Sequence, residues 1–542
     1  MLRPQPQERL APCCTGCVSG SDVRGWISIV AQRRQLGLSD LEAYERAWGI
    51  LAAVNPFPAS LGRICPHPCE AGCNRTVKDG PVAINALERF LGDWALEHQM
   101  PLPRLEAHGC RQESLGVIGA GPAGLSFAYQ MARRGYPVTV YEKQERPGGM
   151  LYYGIPQYRL PEDVLAAEVH RILDLGIDLQ LNTAVGRDIP VSALRQRHVN
   201  LFLGIGAGRA LKLGVPGEDG TGTWTGTDYL FRVNRGEEVA LGGQVIVVGG
   251  GNTAMDAART ARRTGACVTI LYRRTREEMP AIDAEIDDAL AEGVQIEFLT
   301  APIRMMRDTG RVRAVVVRRM RPGEPDTSGR RAPVPVPGSE YEMPAESVIA
   351  AVSQQPDWDG ITELKPEEDW AEASASGECR DGLWAGGDFL GLGVAGLAIR
   401  QGREAAEAVH NRLVGLPAPA ARQQHAVASS AVKPDFYDER ERVALPRRPV
   451  AERIASPEAE IQGTISEQEF LREAARCFSC GLCYGCERCF MYCNAEGFTR
   501  LVPAGPGAYF AQSPERCLAC GKCIDLCPCG FLSPGPRTDP VQ

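Results

Sequence analysis

Residues 114–142 read SLGVIGAGPAGLSFAYQMARRGYPVTVYE. An apolar strand runs into Gly119, Gly121 and Gly124, then a helix, then a second strand that ends at Glu142. Glycines so spaced allow a tight turn, close approach of the backbone to a pyrophosphate, and close packing of helix on strand. The pyrophosphate rests on the helix N-terminus. Glu142, eighteen residues beyond Gly124, stands where a carboxylate holds ribose hydroxyls. The glycines alone would be a weak signal, but strand, helix, strand and terminal acid together specify a dinucleotide-binding fold.

A second copy follows at residues 244–281, QVIVVGGGNTAMDAARTARRTGACVTILYRRTREEMPA, with Gly249, Gly251 and Ala254 in the turn. Its second strand ends at Tyr272. Where an acid would favour NAD, the chain has Arg273 and Arg274, whose guanidinium groups suit the 2′-phosphate of NADP(H). Further on, GLWAGGDFLGLGVAGLAIRQGREAA (382–406) places Asp388 after a glycine pair and before a helix. In flavoproteins with two dinucleotide domains the second splits the first. This stretch is then the returning half of the first, with Asp388 near the ribityl chain or pyrophosphate.

Outside this central region the chain is rich in cysteine. Seventeen of its 20 cysteines fall within residues 13–73, 477–493 and 517–529, and only Cys110, Cys267 and Cys379 lie apart. A disulfide scaffold would spread its thiols through a short secreted chain. Cys517, Cys520, Cys523 and Cys527, followed by Pro528, make the C-x2-C-x2-C-x3-C-P run of bacterial ferredoxins. Cys483, Cys486, Cys489 and Cys493 repeat it, with Asn494 in place of proline. Three cysteines of each run and the fourth of the other hold a 4Fe-4S cluster in that pattern. The expected sets are Cys483, Cys486, Cys489 and Cys527, and Cys517, Cys520, Cys523 and Cys493. Zinc knuckles rarely show this run twice. Cys477, Cys480 and Cys529 are surplus, as packing thiols or as alternative ligands.

A length of 542 residues suits about three or four domains. The 44% hydrophobic and 23% charged content is that of a globular protein, and the net charge of −8 argues against nucleic-acid or anionic-membrane partners. No apolar run reaches the roughly 18 residues a membrane span needs. The opening MLRPQPQERLAPCC has no apolar signal core, so a cytoplasmic location is expected.

Residues 60–410 resemble the small subunit of bacterial NADPH-dependent glutamate synthase and its relatives, including the flavin end of dihydropyrimidine dehydrogenase. The resemblance rests on GRICPHPCEAGCNR, DGPVAINALERF, VIGAGPAGL, YEKQERPGGMLYYGIPQYRLP, VVGGGNTAMDAA, LYRR and AGGDF. It implies a multidomain α/β protein with a helical iron–sulfur domain (1–110) and an FAD domain in two parts (111–240 and 346–412). A Rossmann-like NAD(P)H domain (241–345) is inserted between those parts. FAD binding carries over to Gly119, Gly121, Gly124, Glu142, Gly149, Met150, Arg159 and Asp388. NADP(H) binding carries over to Gly251, Asn252, Thr253, Ala254, Arg273 and Arg274.

At the N-terminus the family often holds two clusters, using a C-x2-C just upstream of the C-x3-C that matches Cys13 and Cys17. This sequence does not supply that pair. The family's positions assign one cluster to Cys17, Cys65, Cys69 and Glu88, and an all-cysteine set from Cys13, Cys14, Cys17, Cys65, Cys69 and Cys73 competes. The tail also departs from the glutamate synthase pattern. Residues 413–470 have a linker composition expected to lie along the surface, and a two-cluster ferredoxin-like domain (471–542) follows. By analogy, such tails accompany sulfite-reductase-type systems and 2-oxoacid or aldehyde oxidoreductases.

The expected function is electron transfer between NAD(P)H and a partner redox protein through FAD and 4Fe-4S clusters, in either direction, with no side-chain acid or base required. The alternatives are a glutamate synthase small subunit serving an amidotransferase large subunit, and a non-catalytic iron–sulfur docking subunit. Intact glycines, Glu142, Arg273 and Asp388 speak against the last.

Overall fold

The computed structural model describes residues 3–6, 9–105, 111–366, 369–380, 382–418 and 426–535; Cys110 lies outside them. The N-terminal part is helical. Helix Asp40–Ala52 starts at Ser39, which accepts from Glu42 N while Glu42 bonds back, a reciprocal cap. Helices Pro58–Ile64 and Ile84–Glu97 cross with their backbones almost touching. A Cβ on Gly62 would stand 2.6 Å from Arg89 Cα, and one on Gly92 would stand 2.4 Å from Ala59 N. Only glycine permits this approach, and it sets Cys65, at the end of the first helix, against Glu88 on the second.

Two doubly wound sheets follow. The first has six strands, in the order Glu378–Arg380, Leu383–Ala385, Asn200–Leu203, Leu115–Ile118, Val138–Tyr141, Asp178–Gln180. The second has five, in the order Gln295–Phe298, Cys267–Tyr272, Gln244–Val248, Ser347–Ala350, Thr223–Thr225. The central strands of both are continuous apolar runs buried on both faces, as parallel sheets under helices require. Leu383 pairs in parallel with Leu201 although the whole second sheet lies between them in sequence. A short antiparallel pair, Gln354–Gln355 with Arg209–Ala210, joins the two crossings.

The boundaries differ from those expected at 241 and 345. Thr223–Thr225 and Ser347–Ala350 belong to the second sheet, and the short strand TWT has too little apolar character to announce itself. A four-stranded antiparallel sheet built on Thr300–Asp308 and Arg311–Pro325 also lies within this region.

Residues 426–470 are not a loose linker. Val427, Val432, Val443 and Ile465 are buried in the core shared by the helical and first nucleotide domains. Arg447 and Arg453 both reach Asp288, and Arg442 reaches Glu70. Helix Glu467–Ala474, cut by the expected boundary at 471, belongs to the helical domain: Phe470 is fully buried, stacked 4.1 Å from Phe90 and edge-on to Tyr44. Sparse apolar anchors among proline and charge conceal this packing from composition.

The C-terminal module has a hairpin, Phe498–Gly505 with Ala508–Gln512, around a small core of its own. Its last strand, Leu532–Gly535, pairs antiparallel with Arg3–Pro6, so the two ends of the chain share a sheet. No helix among the described residues is long and apolar enough to cross a membrane.

Candidate functional site

Two clefts open at the glycine turns. The first, of about 480 Å³, falls in the range of cofactor pockets. Gly119, Gly121, Glu142, Gly149, Met150 and Asp388 line it. Gly121 caps helix Pro122–Ala132 with no side-chain partner, which leaves the first N–H groups open to an anion. Gly119 has φ +99°, and a Cβ there would meet Gly204 O at 2.5 Å; one on Gly124 would meet Gly119 O at 2.0 Å. Gly124 therefore serves packing, not cleft lining. Glu142 accepts from Ala120 N (2.7 Å) and Gln144 N (2.8 Å) while burial pushes its pKa up. Asp388 accepts from Gly393 N at 3.0 Å, and burial raises its pKa also.

Arg159 lines this cleft, yet its guanidinium is committed elsewhere. It bonds Asp256 and lies 3.1 Å from Glu285, both on the second nucleotide fold.

The second cleft, of about 580 Å³, is lined by Gly249, Gly251, Thr253, Arg273 and Arg274. Gly251 caps helix Asn252–Arg263 without a side-chain bond. Asn252 accepts from Ile282 N (3.0 Å) and faces the first cleft, while Ala254 is fully buried under the turn. The two arginines part company. Arg273 is exposed; Arg274 is buried and holds Asp326 (2.5 Å) and Arg331 O (2.8 Å). Lys212 and Arg330 complete the cationic lining. No motif marks them, because the fold alone brings those loops to the cleft.

The N-terminal thiols form two groups. Cys17, Cys65, Cys69 and Glu88 face one another closely enough that Glu88 raises the pKa of all three thiols, after burial itself. Burial pushes Glu88 up to about 7, against the bond it accepts from Asn55 (2.8 Å). Cys13 and Cys73 face a different pocket. In the C-terminal module Cys483, Cys486, Cys489 and Cys527 line one pocket, joined by Cys529. Cys493 and Cys523 share its small core, and Cys517, Cys520 and Cys523 interact electrostatically. No three His, Cys, Asp or Glu side chains among the described residues converge tightly enough for a single ion. A four-iron cube needs its thiolates farther apart, one to each iron.

Two dinucleotide-type folds with open helix ends fit a protein that binds nucleotide cofactors. Residues 114–408 match the pyridine nucleotide-disulphide oxidoreductase family, and residues 8–100 match dihydropyrimidine dehydrogenase domain II, 4Fe-4S cluster. The chain belongs to the first family; it is an FAD-dependent NAD(P)H oxidoreductase with a 4Fe-4S domain.

It is 36% identical over 509 residues to the NADP(+)-dependent formate dehydrogenase subunit beta of Moorella thermoacetica, covering 87% of this chain and 70% of that protein. It is 40% identical to the NADPH-Fe(3+) oxidoreductase subunit beta of Geobacter sulfurreducens, over 64% of this chain and 51% of that protein. It is also 34% identical to the glutamate synthase [NADPH] small chain of Azospirillum brasilense, over 73% and 85%. The chain thus spans about half the length of the Geobacter relative.

Proposed function

We propose that this chain is the electron-transfer subunit of a larger redox assembly, moving electrons between NADPH and a catalytic partner through FAD and 4Fe-4S clusters. One observation carries the reading: Ile64 and Pro66, the neighbours of Cys65, line the first cleft. A flavin held there lies beside the thiols that would hold an iron–sulfur cluster.

A bound flavin supplies the exchange of one hydride for two single electrons. The chain's part is to hold and orient. Open helix ends at Gly121 and Gly251 take pyrophosphates, Glu142 takes ribose hydroxyls, and Arg273 takes the 2′-phosphate. Cys17, Cys65, Cys69 and Glu88 hold the cluster nearest the flavin. The sets Cys483, Cys486, Cys489, Cys527 and Cys517, Cys520, Cys523, Cys493 hold two more in the manner of a bacterial ferredoxin. Cys520 is exposed, and Met491, Tyr492 and Leu518 present apolar surface around that end, which suits docking of a protein partner.

Anaerobic titration of the holoprotein with NADPH should bleach the flavin band and then the broad cluster absorbance. A purified protein without flavin, or one whose clusters stay oxidised, overturns the reading.

A further inference from the structure

We propose a fourth four-iron cluster site, ligated by Cys13 and Cys73 from the helical domain and Cys477 and Cys480 from the far end of the chain. These four cysteines line one small pocket together with Arg24 and Asn74. The site rests on the electron-transfer reading and completes it.

The backbone supports ligation over packing. Of the chain's C-x2-C segments, three that start at Cys477, Cys483 and Cys517 share one backbone form. In each, the second residue after the first cysteine is left-handed: Ser479 (φ 51°), Gly485 (72°) and Ala519 (54°). So is the residue after the second cysteine: Gly481 (69°), Glu487 (64°) and Gly521 (77°). Serine takes this conformation only against its steric preference, so something must require it. What it achieves is an N–H aimed at sulfur: Ser479 N lies 3.4 Å from Cys477 Sγ, as Ala519 N lies 3.4 Å from Cys517 Sγ. His67, also left-handed at φ 43°, repeats this at Cys65 (3.3 Å). Such bonds stabilise a ligated thiolate and tune its cluster. The segment at Cys477 is thus folded as the two ferredoxin-type segments are, but turned toward the helical domain.

The surroundings fit a charged cluster. Asn74 Nδ2 donates to Cys480 Sγ at 3.4 Å, and Arg24 Nη1 donates to the carbonyls of Cys480 (2.8 Å) and Arg9 (2.9 Å). Arg75 also lines the pocket, its guanidinium over the Phe478 ring at 5.0 Å. Four thiolates on a cluster leave net negative charge, which the Arg24 guanidinium, bonded to carbonyls, offsets, whereas Arg75 is paired with Asp79. Cys14, next to Cys13, is excluded, since its sulfur is bonded to Asp22 (3.3 Å) and accepts from Arg24 N (3.4 Å) outside the pocket.

The position also makes sense of the relay. Cys13 and Cys73 each sit four residues from a member of the set nearest the flavin, Cys17 and Cys69. On the other side, Gly481 N donates to Cys529 O (2.7 Å) in the C-terminal module. The site therefore lies between the two. A cluster there would accept one electron as it passes one on, so two passes would carry the two electrons of one NADPH and no further reactant is needed.

Iron and acid-labile sulfide counted anaerobically on the full-length holoprotein test this directly. Four clusters give about sixteen irons per chain at four each. A count near twelve with FAD bound overturns the fourth site and leaves the electron-transfer reading standing, whereas loss of flavin and iron together would sink that reading itself. Cys477→Ser/Cys480→Ser should lose about four irons and one electron-paramagnetic signal and keep FAD, and Cys13→Ser should lose the same signal from the other end of the chain. Cys14→Ser should keep every iron. Unchanged iron in both ligand variants would also overturn the proposal.

Discussion

Arg159 Nη1 donates to both carboxylate oxygens of Asp256, at 2.8 and 2.7 Å, across the seam between the two dinucleotide folds. Both side chains are about 95% buried, and both residues line the first cleft. The family resemblance implies Arg159 on the flavin; in the structure its guanidinium is bonded to Asp256 and clasps the two folds beside the first cleft.

Removing one partner of such a pair strands a buried charge, at about 3–5 kcal/mol. Arg159→Met should therefore lower the melting temperature and slow flavin reduction by NADPH while FAD stays bound. Adding Asp256→Leu should recover much of the stability but not the rate. Stopped-flow reduction and thermal denaturation over this double-mutant cycle decide the matter. A single variant that sheds FAD at unchanged stability would return Arg159 to the flavin.

The unequal arginines separate NADPH from NADH. Arg273 is free to meet a 2′-phosphate, so Arg273→Ala should cost about 1.5–3 kcal/mol, roughly ten- to a hundredfold in NADPH affinity, and leave NADH nearly unchanged. Arg274→Ala should instead loosen the segment around Asp326 and weaken both nucleotides alike. Steady-state KM values for the two nucleotides would show the split, and equal losses from Arg273→Ala would refute it.

Asp79 ties the helical domain to the segment around residues 440–476, receiving bonds from Arg75 (2.6 Å), Arg476 (2.9 Å) and Arg440 N (2.8 Å). Burial pushes its pKa up, but these bonds win and hold it well below the usual carboxylate range. A depressed native pKa means that the stabilisation is present above the unfolded value, about 3.9, and is lost as pH falls through the native one. Asp79→Asn should cost about 2–3 kcal/mol at pH 7. The gap between its melting temperature and the wild type's should begin to close as pH falls below ~4 and go on closing toward the depressed native pKa. Parallel curves down to pH 3 would contradict the linkage.

Glu88 faces three thiols from the helix whose neighbour ends at Cys65. Glu88→Gln should raise the midpoint potential of the cluster there, because the site loses a negative charge. Glu88→Ala should release about four irons with FAD retained. An unaltered spectrum in both variants would leave the fourth ligand position to something other than Glu88.

The sequence by itself determined the two nucleotide folds and the cysteine runs, because each is a local device. A glycine turn between an apolar strand and a helix must lie within a few residues, and so must a C-x2-C turn. Cys483, Cys486 and Cys489 were legible for that reason, as were Gly119, Gly121 and Glu142. Tertiary structure decided whatever depends on distant segments meeting. It set Phe470 into the helical core, paired Arg3–Pro6 with Leu532–Gly535, buried Arg274 against Asp326, and brought Cys477 and Cys480 to Cys13 and Cys73. No spacing rule reaches across more than 400 residues; only burial of scattered apolar anchors such as Val427 and Val443 folds the tail back onto the beginning of the chain.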